Sequence, residues 1–319
     1  MSHLTLAFAG TPEFSVPALD AIAGLPHRLA GVFTQPDRPA GRGRELTASP
    51  VKRRALELGL PVFQPETFKG EAARELLAAL HVDALIVVAY GLILPAAVLA
   101  LPRLGCFNIH ASLLPRWRGA APIQRALLAG DTHTGVTIMR MAAGLDTGPM
   151  LASARIAIGA QDTSASLHAA LAGLGARLMC DSLADIAAGR AHESEQPAEG
   201  VTYAAKIEKA EAEVNWQEDA AAIDRRVRAF NPRPVAQTHL EGTQLRLWMS
   251  SVLEPHGVHG EPGRVLAHGE AGIDVACGAG ILRVTQVQSP GKTRCSAGEA
   301  LRARHLGGAR LTRTQPKLS

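Results

Sequence analysis

The chain has 319 residues, enough for about two domains of roughly 100–200 residues each. Hydrophobic residues make up 47% and charged residues 19%, which excludes a disordered protein, and the four scattered cysteines exclude a disulfide scaffold. The net charge of +4 excludes a strongly acidic or basic chain, and the cysteine usage fits a reducing cytoplasm.

The first 160 residues are predicted to alternate between strands and helices. Apolar runs predict strands at 4–10, 28–35, 84–89, 105–109, 135–141 and 150–158. Helices are predicted at 14–25, 71–81 and 122–129. This alternation predicts an α/β domain with a doubly wound, mostly parallel sheet, which binds ligands at the carboxyl ends of its strands.

Residues 84–102 carry no charge and approach the roughly 20 residues that span a bilayer. Gly91, Pro95 and Pro102 interrupt this run, so we predict a buried strand followed by a short helix, and no membrane partner. The apolar stretch at the N-terminus is too short for a signal peptide and has no basic residues before it.

The second half of the chain is predicted to form a separate, β-rich domain. A long helix at 163–188, with a core stripe at Leu167, Leu171, Leu174 and Leu178, ends the first domain, which we assign to residues 1–189. The polar residues 190–205 contain Pro and Gly and predict a linker. In residues 206–319, a helix at 219–229 and short strands predict an OB-like β-barrel; the strands are at 245–252, 263–268, 272–278 and 281–287.

Polar residues with catalytic chemistry are concentrated between residues 107 and 146. Asn108 and His110 flank one residue of a predicted strand, so their side chains share a face. Asp146 lies in a glycine-rich turn, AGLDTG. An amide and an imidazole suit the oxyanion of a carbonyl adduct, and a carboxylate would orient the imidazole and favour its charged form. From the spacing alone, a turn or a satisfied interior polar group is the commoner explanation of such residues.

The cluster contains no supported nucleophile. Cys106 shares the face of Asn108, but no other feature indicates that it reacts. We therefore predict direct acyl transfer to a nucleophile of the substrate. The sequence has no Walker A motif, no GxGxxG unit and no HExxH motif, so we expect no nucleoside triphosphate, no nicotinamide cofactor and no metal.

Basic residues are concentrated in two segments. Residues 1–200 contain 17 basic and 17 acidic residues, whereas residues 201–319 contain 16 and 12. Within the second half, residues 275–319 contain eight basic residues and one acidic residue, and the loop 36–54 contains six and two. Such densities attract polyanions such as nucleic acid, although a solvated basic surface has the same composition.

Residues 107–151 (FNIHASLLPRWRGAAPIQRALLAGDTHTGVTIMRMAAGLDTGPML) strongly resemble the formyltransferases that use 10-formyltetrahydrofolate. The elements FAGTPEFSVPAL, TQPDRPAGRGRELTASPVK and AFNPRP narrow the resemblance to members whose acceptor is methionyl-initiator tRNA. It covers residues 4–305 and implies a doubly wound domain followed by an OB-like domain. The implied reaction moves a formyl group from N10 of the folate to the α-amino group of the methionine, for translation initiation.

The resemblance also implies site residues. Its catalytic trio corresponds to Asn108, His110 and Asp146. The proposed folate contacts are Ser112, Leu113, Leu114 and Pro115, with a pterin-pocket wall at Tyr90, Gly91 and Leu92 that fits the core equally well. Basic residues predicted to bind tRNA are Arg38, Arg42, Arg44, Lys206, Lys209, Arg302 and Arg304. Arg233 stands where the family usually has an aromatic residue.

Two other functions are compatible with parts of the sequence. The same chemistry on a small amine would make the protein a glycinamide ribonucleotide or amino-sugar formyltransferase. A non-catalytic RNA-binding protein would explain the basic segments but not the Asn108, His110 and Asp146 pattern. No exposed apolar repeat requires an oligomer, so we expect a monomer.

Overall fold

The structure is a computed structural model that describes residues 3–40, 45–301, 306 and 308–313. The chain divides into two compact units. Unit 1 comprises Met1–Pro122, His133–Ala157 and His168–Ala204. Unit 2 comprises Ile123–Thr132, Ile158–Leu167 and Ala205–Ser319.

The strands of the described residues are numbered in chain order. They are β1 (Thr5–Gly10), β2 (Arg28–Phe33), β3 (Arg38–Ala40), β4 (Glu45–Thr47), β5 (Val62–Phe63), β6 (Ala84–Val88), β7 (Gly105–His110), β8 (Arg118–Gly119), β9 (His133–Arg140), β10 (Met150–Ala157), β11 (Tyr203–Ala204), β12 (Ala236–Leu240), β13 (Thr243–Glu254), β14 (Val265–Gly269), β15 (Gly272–Ala276), β16 (Ile281–Gln288), β17 (Cys295–Ser296) and β18 (Leu311–Thr312).

The helices follow the same numbering. They are α1 (Val16–Ala23), α2 (Pro50–Glu57), α3 (Glu71–Ala79), α4 (Ala96–Leu99), α5 (Pro122–Ala129), α6 (Ser164–Ala187), α7 (Ala220–Ala229) and α8 (Ala297–Leu301), with 3-10 turns at Glu13–Ser15 and Lys209–Ala212.

Unit 1 is built on a seven-stranded sheet in the order β10-β9-β7-β6-β1-β2-β5. The pairs from β5 through β7 are parallel, whereas β9 runs antiparallel to both β7 and β10. Every residue of the central strand β6 is buried, as expected for a parallel strand covered on both faces. The prediction of a doubly wound, mostly parallel sheet is therefore confirmed.

The uncharged stretch 84–102 contains β6 followed by the short helix α4, as predicted. Among the residues that the structure describes, no helix has both the length and the apolar character needed to cross a membrane.

Unit 2 contains an antiparallel sheet in the order β14-β15-β16-β13-β12-β18, with β17 paired to β16. The sheet curls, and its ends are linked by hydrogen bonds from the Val265 amide to the Ala309 carbonyl and from the Leu311 amide to the Gly263 carbonyl, both 2.8 Å. Helix α7 packs against β13 and contributes Ile223 and Val227 to the core. This curled, closed arrangement confirms the predicted OB-like architecture.

Helix α6 approaches the sheet of unit 1 closely at a glycine. The predicted leucine stripe is buried at Leu167 and Leu171, but Leu174 and Leu178 are only half-buried. At Gly175, a Cβ would lie 2.6 Å from Cγ2 of Ile109 and 3.3 Å from Cγ1 of Val136. The helix can therefore pack on β7 and β9 at this point only without a side chain.

We predict that Gly175→Ala and Gly173→Ala shift stability in opposite directions. The first forces a methyl group into the packed Ile109 side chain and should cost about 1–3 kcal/mol of unfolding free energy. At Gly173 the nearest atom to a Cβ is the flexible Arg177 Nη1 at 3.6 Å, so alanine should stabilise the helix by about 0.5–1 kcal/mol. Urea unfolding of the full chain measures both, and shifts of the same sign would contradict this packing.

Candidate active site

The strand β7 brings Asn108 and His110 to one edge of the unit 1 sheet. His110 is the last residue of β7, and β7 pairs in parallel with β6, whose carboxyl end leads to Tyr90. The spacing of two residues puts Asn108 and His110 on the same face of the strand. Both side chains therefore lie where an open α/β sheet binds its ligands.

The turn between β9 and β10 carries Asp146 to His110. Asp146 has a left-handed backbone, with φ of +50°. The turn is tight, because a Cβ on Gly148 would overlap the carbonyl oxygen of Arg140. The result is a distance of 3.6 Å between Asp146 Oδ2 and His110 Nδ1, with both side chains largely buried.

The His110 ring lies between two acceptors. Its Nε2 donates to the carbonyl oxygen of Trp117 at 2.9 Å, since a carbonyl can only accept. Its Nδ1 faces the Asp146 carboxylate. The Trp117 carbonyl and the Asp146 carboxylate thus lie on opposite sides of the ring and fix its orientation.

The Asp146 carboxylate is also held by the main chain. Its Oδ2 accepts a hydrogen bond of 2.8 Å from the Gly119 amide. Gly119 has φ of +118°, and a Cβ there would lie 2.8 Å from the Ala204 carbonyl oxygen, so this position requires glycine.

The Asn108 side chain is half-buried and has no hydrogen-bond partner among the residues that the structure describes. Its two N–H donors are therefore available to a ligand at the carboxyl edge.

The loop 112–115 uses its own polar groups to hold its shape. Ser112 Oγ donates to the Arg116 carbonyl at 2.6 Å, and the Leu114 amide donates to Thr137 Oγ1 at 3.1 Å. The side chain of Leu114 is buried, whereas those of Leu113 and Pro115 are half-buried. The loop thus offers a ligand mainly the apolar surface of Leu113 and Pro115.

The segment 90–92 divides between the core and the surface. The Tyr90 ring is 2% exposed and packs edge-on against Phe68, with ring centroids 6.1 Å apart. Its buried hydroxyl has no hydrogen-bond partner among the described residues, and burial raises its pKa. Gly91 is exposed and Leu92 is half-buried. The Tyr90 side chain therefore belongs to the core, and only Gly91 and Leu92 reach the surface.

Cys106 lies in the same core. The residue is 1% exposed, and burial raises the pKa of its thiol to about 12. A thiol in this environment is neither accessible nor ionised at neutral pH, so Cys106 is not suited to nucleophilic attack.

Several basic residues that raise the charge of the two basic segments are neutralised by acidic neighbours. Lys52 pairs with Asp37 at 2.7 Å, and Arg283 forms two hydrogen bonds with Asp274, at 2.6 and 2.8 Å. Asp274 lies just outside the window 275–319, so the net charge of that window overstates the free charge.

Three of the predicted tRNA contacts lie in the described part of the chain. The side chains of Arg38, Lys206 and Lys209 are exposed and have no partner among the described residues. Arg42, Arg44, Arg302 and Arg304 lie outside the described residues. Arg233 is exposed, between two cis X–Pro bonds.

Two polar residues that no sequence motif marks support the site. Gln196 Nε2 donates to the carbonyl of Asp146, and Thr202 Oγ1 accepts from the Trp117 amide, at 2.8 and 2.9 Å. Both lie in a polar segment whose composition indicates only a linker, and no motif marks them. Within the described residues, no group of His, Cys, Asp and Glu side chains is arranged to hold a metal ion.

Comparison with known proteins covers both halves of the chain. Residues 5–183 match the formyl transferase family, and residues 206–305 match the formyl transferase C-terminal domain. The chain is 57% identical to a methionyl-tRNA formyltransferase of Methylococcus capsulatus over 97% of this chain and 99% of that protein. It is 55% identical to one of Aromatoleum aromaticum over 94% of each.

Solved structures share the fold at lower identity. The structure of HypX from Aquifex aeolicus in complex with tetrahydrofolic acid has a TM-score of 0.63 at 17% identity, over 94% of this chain and 47% of that chain. The fold, the two matched domains and the identity over nearly the full length all indicate the same family. The chain therefore belongs to the formyl transferase family and, within it, to the methionyl-tRNA formyltransferases.

Proposed function

We propose that the protein transfers the formyl group of 10-formyltetrahydrofolate to the α-amino group of methionine esterified to initiator tRNA, in the cytoplasm and as a monomer. The observation that carries this proposal is the His110–Asp146 pair beside the free Asn108 amide at the carboxyl edge of the sheet. The near full-length similarity to methionyl-tRNA formyltransferases supports the same acceptor.

The reaction begins with the α-amine, a fraction of which is neutral at cellular pH because the pKa of an α-amino group is near ~8. The amine nitrogen attacks the formyl carbon, the carbonyl oxygen becomes an oxyanion, and the bond to N10 then breaks. The proton lost by the amine reaches N10 through water. Asp146 can accept this proton in transit at Oδ1, because its Oδ2 is the oxygen that accepts from Gly119.

Asn108 and His110 stabilise the oxyanion in different ways. Asn108 donates directly, because its amide has no other partner among the described residues. His110 contributes a hydrogen-bond donor of its imidazole ring. Its Nε2 proton is bonded to the Trp117 carbonyl, so donating this proton to the oxyanion requires that bond to open.

The folate substrate fits the surface beside the trio. Leu92, Leu113 and Pro115 are half-buried and give apolar surface for a flat bicyclic ring. Gly91 presents its backbone with φ of +83°, where a side chain would overlap the amide of Gln35. Ser112 and Leu114 then act by holding the loop, and the Tyr90 ring supports the segment from the core.

The tRNA substrate is bound by cations without an intramolecular partner in the described residues: Arg38, Lys206 and Lys209. Arg125 fixes the backbone beside Lys206, because it donates to the Ala205 carbonyl at 3.0 Å and to the Lys206 carbonyl at 3.2 Å. Arg42, Arg44, Arg302 and Arg304 complete the proposed set.

We predict that Asn108→Ala and His110→Ala each lower kcat for methionyl-initiator tRNA by about 10²–10³-fold, because each removes one stabilising group from the oxyanion site. The initial rate of N-formylmethionyl-tRNA formation from 10-formyltetrahydrofolate measures this effect. Wild-type protein that formylates glycinamide ribonucleotide or an amino sugar, but not charged initiator tRNA, would overturn the proposal.

Direct transfer predicts that Cys106→Ala retains formylation activity within a few-fold of the wild type, since the thiol is buried and takes no part in the reaction. The same assay measures it, with mass spectrometry of the quenched enzyme. Loss of activity together with disappearance of a formylated enzyme species would indicate a covalent route.

For tRNA binding, we predict that Arg38→Ala, Arg42→Ala and Lys206→Ala raise KM for tRNA and leave KM for the folate unchanged. Each lost phosphate contact should lower the slope of log affinity against log salt by roughly 0.7–0.9. Arg103→Ala is the matched control, because Arg103 is 67% exposed and pairs with Asp83 at the amino edge of the sheet. An equal rise in KM for tRNA in the Arg103→Ala control would contradict specific phosphate contacts.

A further inference from the structure

Residues 190–204, which we name the strap, follow helix α6 and belong to unit 1. Their side-chain contacts with the rest of unit 1 include Glu193 to Arg140 at 2.8 Å, Gln196 to the Asp146 turn and Thr202 to Trp117. These three are half-buried, whereas most of the strap is exposed. The strap is therefore held at defined points, and two of them, Gln196 and Thr202, bond to Asp146 and Trp117, the residues whose acceptors face the His110 ring.

Gln196 uses both ends of its amide. Its Nε2 donates one hydrogen to the carbonyl of Asp146 and the other to the carbonyl of Gly148, both at 2.8 Å. Its Oε1 accepts from Arg118 Nε at 3.0 Å and from Arg118 Nη2 at 2.7 Å. The amide is thus fully satisfied and clamps the two ends of the Asp146–Gly148 turn.

These bonds close a ring around Asp146. The residue after Arg118 is Gly119, whose amide donates to the Asp146 carboxylate. Gln196 therefore holds Asp146 by its carbonyl, and through Arg118 it holds the strand that binds the carboxylate of Asp146. The position of the Asp146 carboxylate depends on the conformation of this left-handed turn, and the bonds from Gln196 fix both the turn and the strand that binds the carboxylate.

We propose that Gln196 is a positioning residue for formyl transfer: it holds the Asp146 carboxylate against His110. This inference rests on the proposed catalytic role of Asp146. Gln196 itself acts through the turn and does not touch substrate. Only glutamine meets the geometry, since glutamate lacks the two donors for the carbonyls and asparagine is one methylene shorter.

The test compares Gln196→Ala and Gln196→Glu with Glu195→Gln, an exposed neighbour. Displacing the turn should lower kcat by about 10–100-fold in both Gln196 variants, with KM for tRNA and folate within about twofold of the wild type. Glu195→Gln should leave both constants unchanged. A Gln196→Glu variant with wild-type kcat would overturn the proposal, because it keeps the Arg118 contact and loses only the donors.

A double-mutant cycle shows whether Gln196 acts through Asp146. In the Asp146→Asn background, adding Gln196→Ala should lower kcat by less than about twofold further, since the positioned group is already gone. Fully additive losses would contradict the inference. An inactive wild type would instead refute the proposed function.

A measurement that does not depend on activity distinguishes a failure of this inference from a failure of the proposed function. The imidazole Hε1 resonance of His110 should move in Gln196→Ala toward its position in Asp146→Asn, measured at a temperature where both variants are folded. A His110 resonance identical to the wild type would show that Gln196 does not position the carboxylate.

Discussion

The parallel pairing of β1, β6 and β7 is the constraint on which the site depends. Because neighbouring parallel strands end at the same edge, the chain after β6 and the last residue of β7 emerge side by side. β6 is buried along its whole length, so this register cannot slip without exposing apolar residues or burying polar ones. His110 is thereby fixed before any loop contributes to the site.

The loops then supply the two acceptors that face the His110 ring. Asp146 and Trp117 both have positive φ, and each presents an acceptor to one nitrogen of the His110 ring. Two residues in a disfavoured backbone conformation around one imidazole need support from outside their own turns. That support comes from the main chain at Gly119 and from the polar side chains of Gln196 and Thr202.

Features with a hydrophobic period or a recognisable motif could be predicted from the sequence. The apolar runs of β6, β7 and β9 predicted the parallel core, and the two-residue spacing placed Asn108 and His110 on one face. The strands β3, β4, β5 and β12 are short or polar and gave no periodic signal. Helix α2 was also missed, because its sequence PVKRRALE has too few apolar residues for a periodic pattern. The contacts of Gln196 and Asp274 depend on chain segments brought together by folding, so composition could not reveal them.

The side-chain contacts of the strap also determine where the chain can be truncated without losing support for the proposed catalytic residues. A fragment that ends at Gly189 would retain β1 to β10 and the three proposed catalytic side chains, yet it would lose Gln196 and Thr202. A fragment that ends at Ala204 retains every strap bond to unit 1. The carboxyl-terminal boundary of a fragment that keeps these contacts is therefore set by the strap side chains rather than by the end of the last long helix of unit 1. Changes in loop length are best accommodated between Pro197 and Gly200, where every residue is exposed.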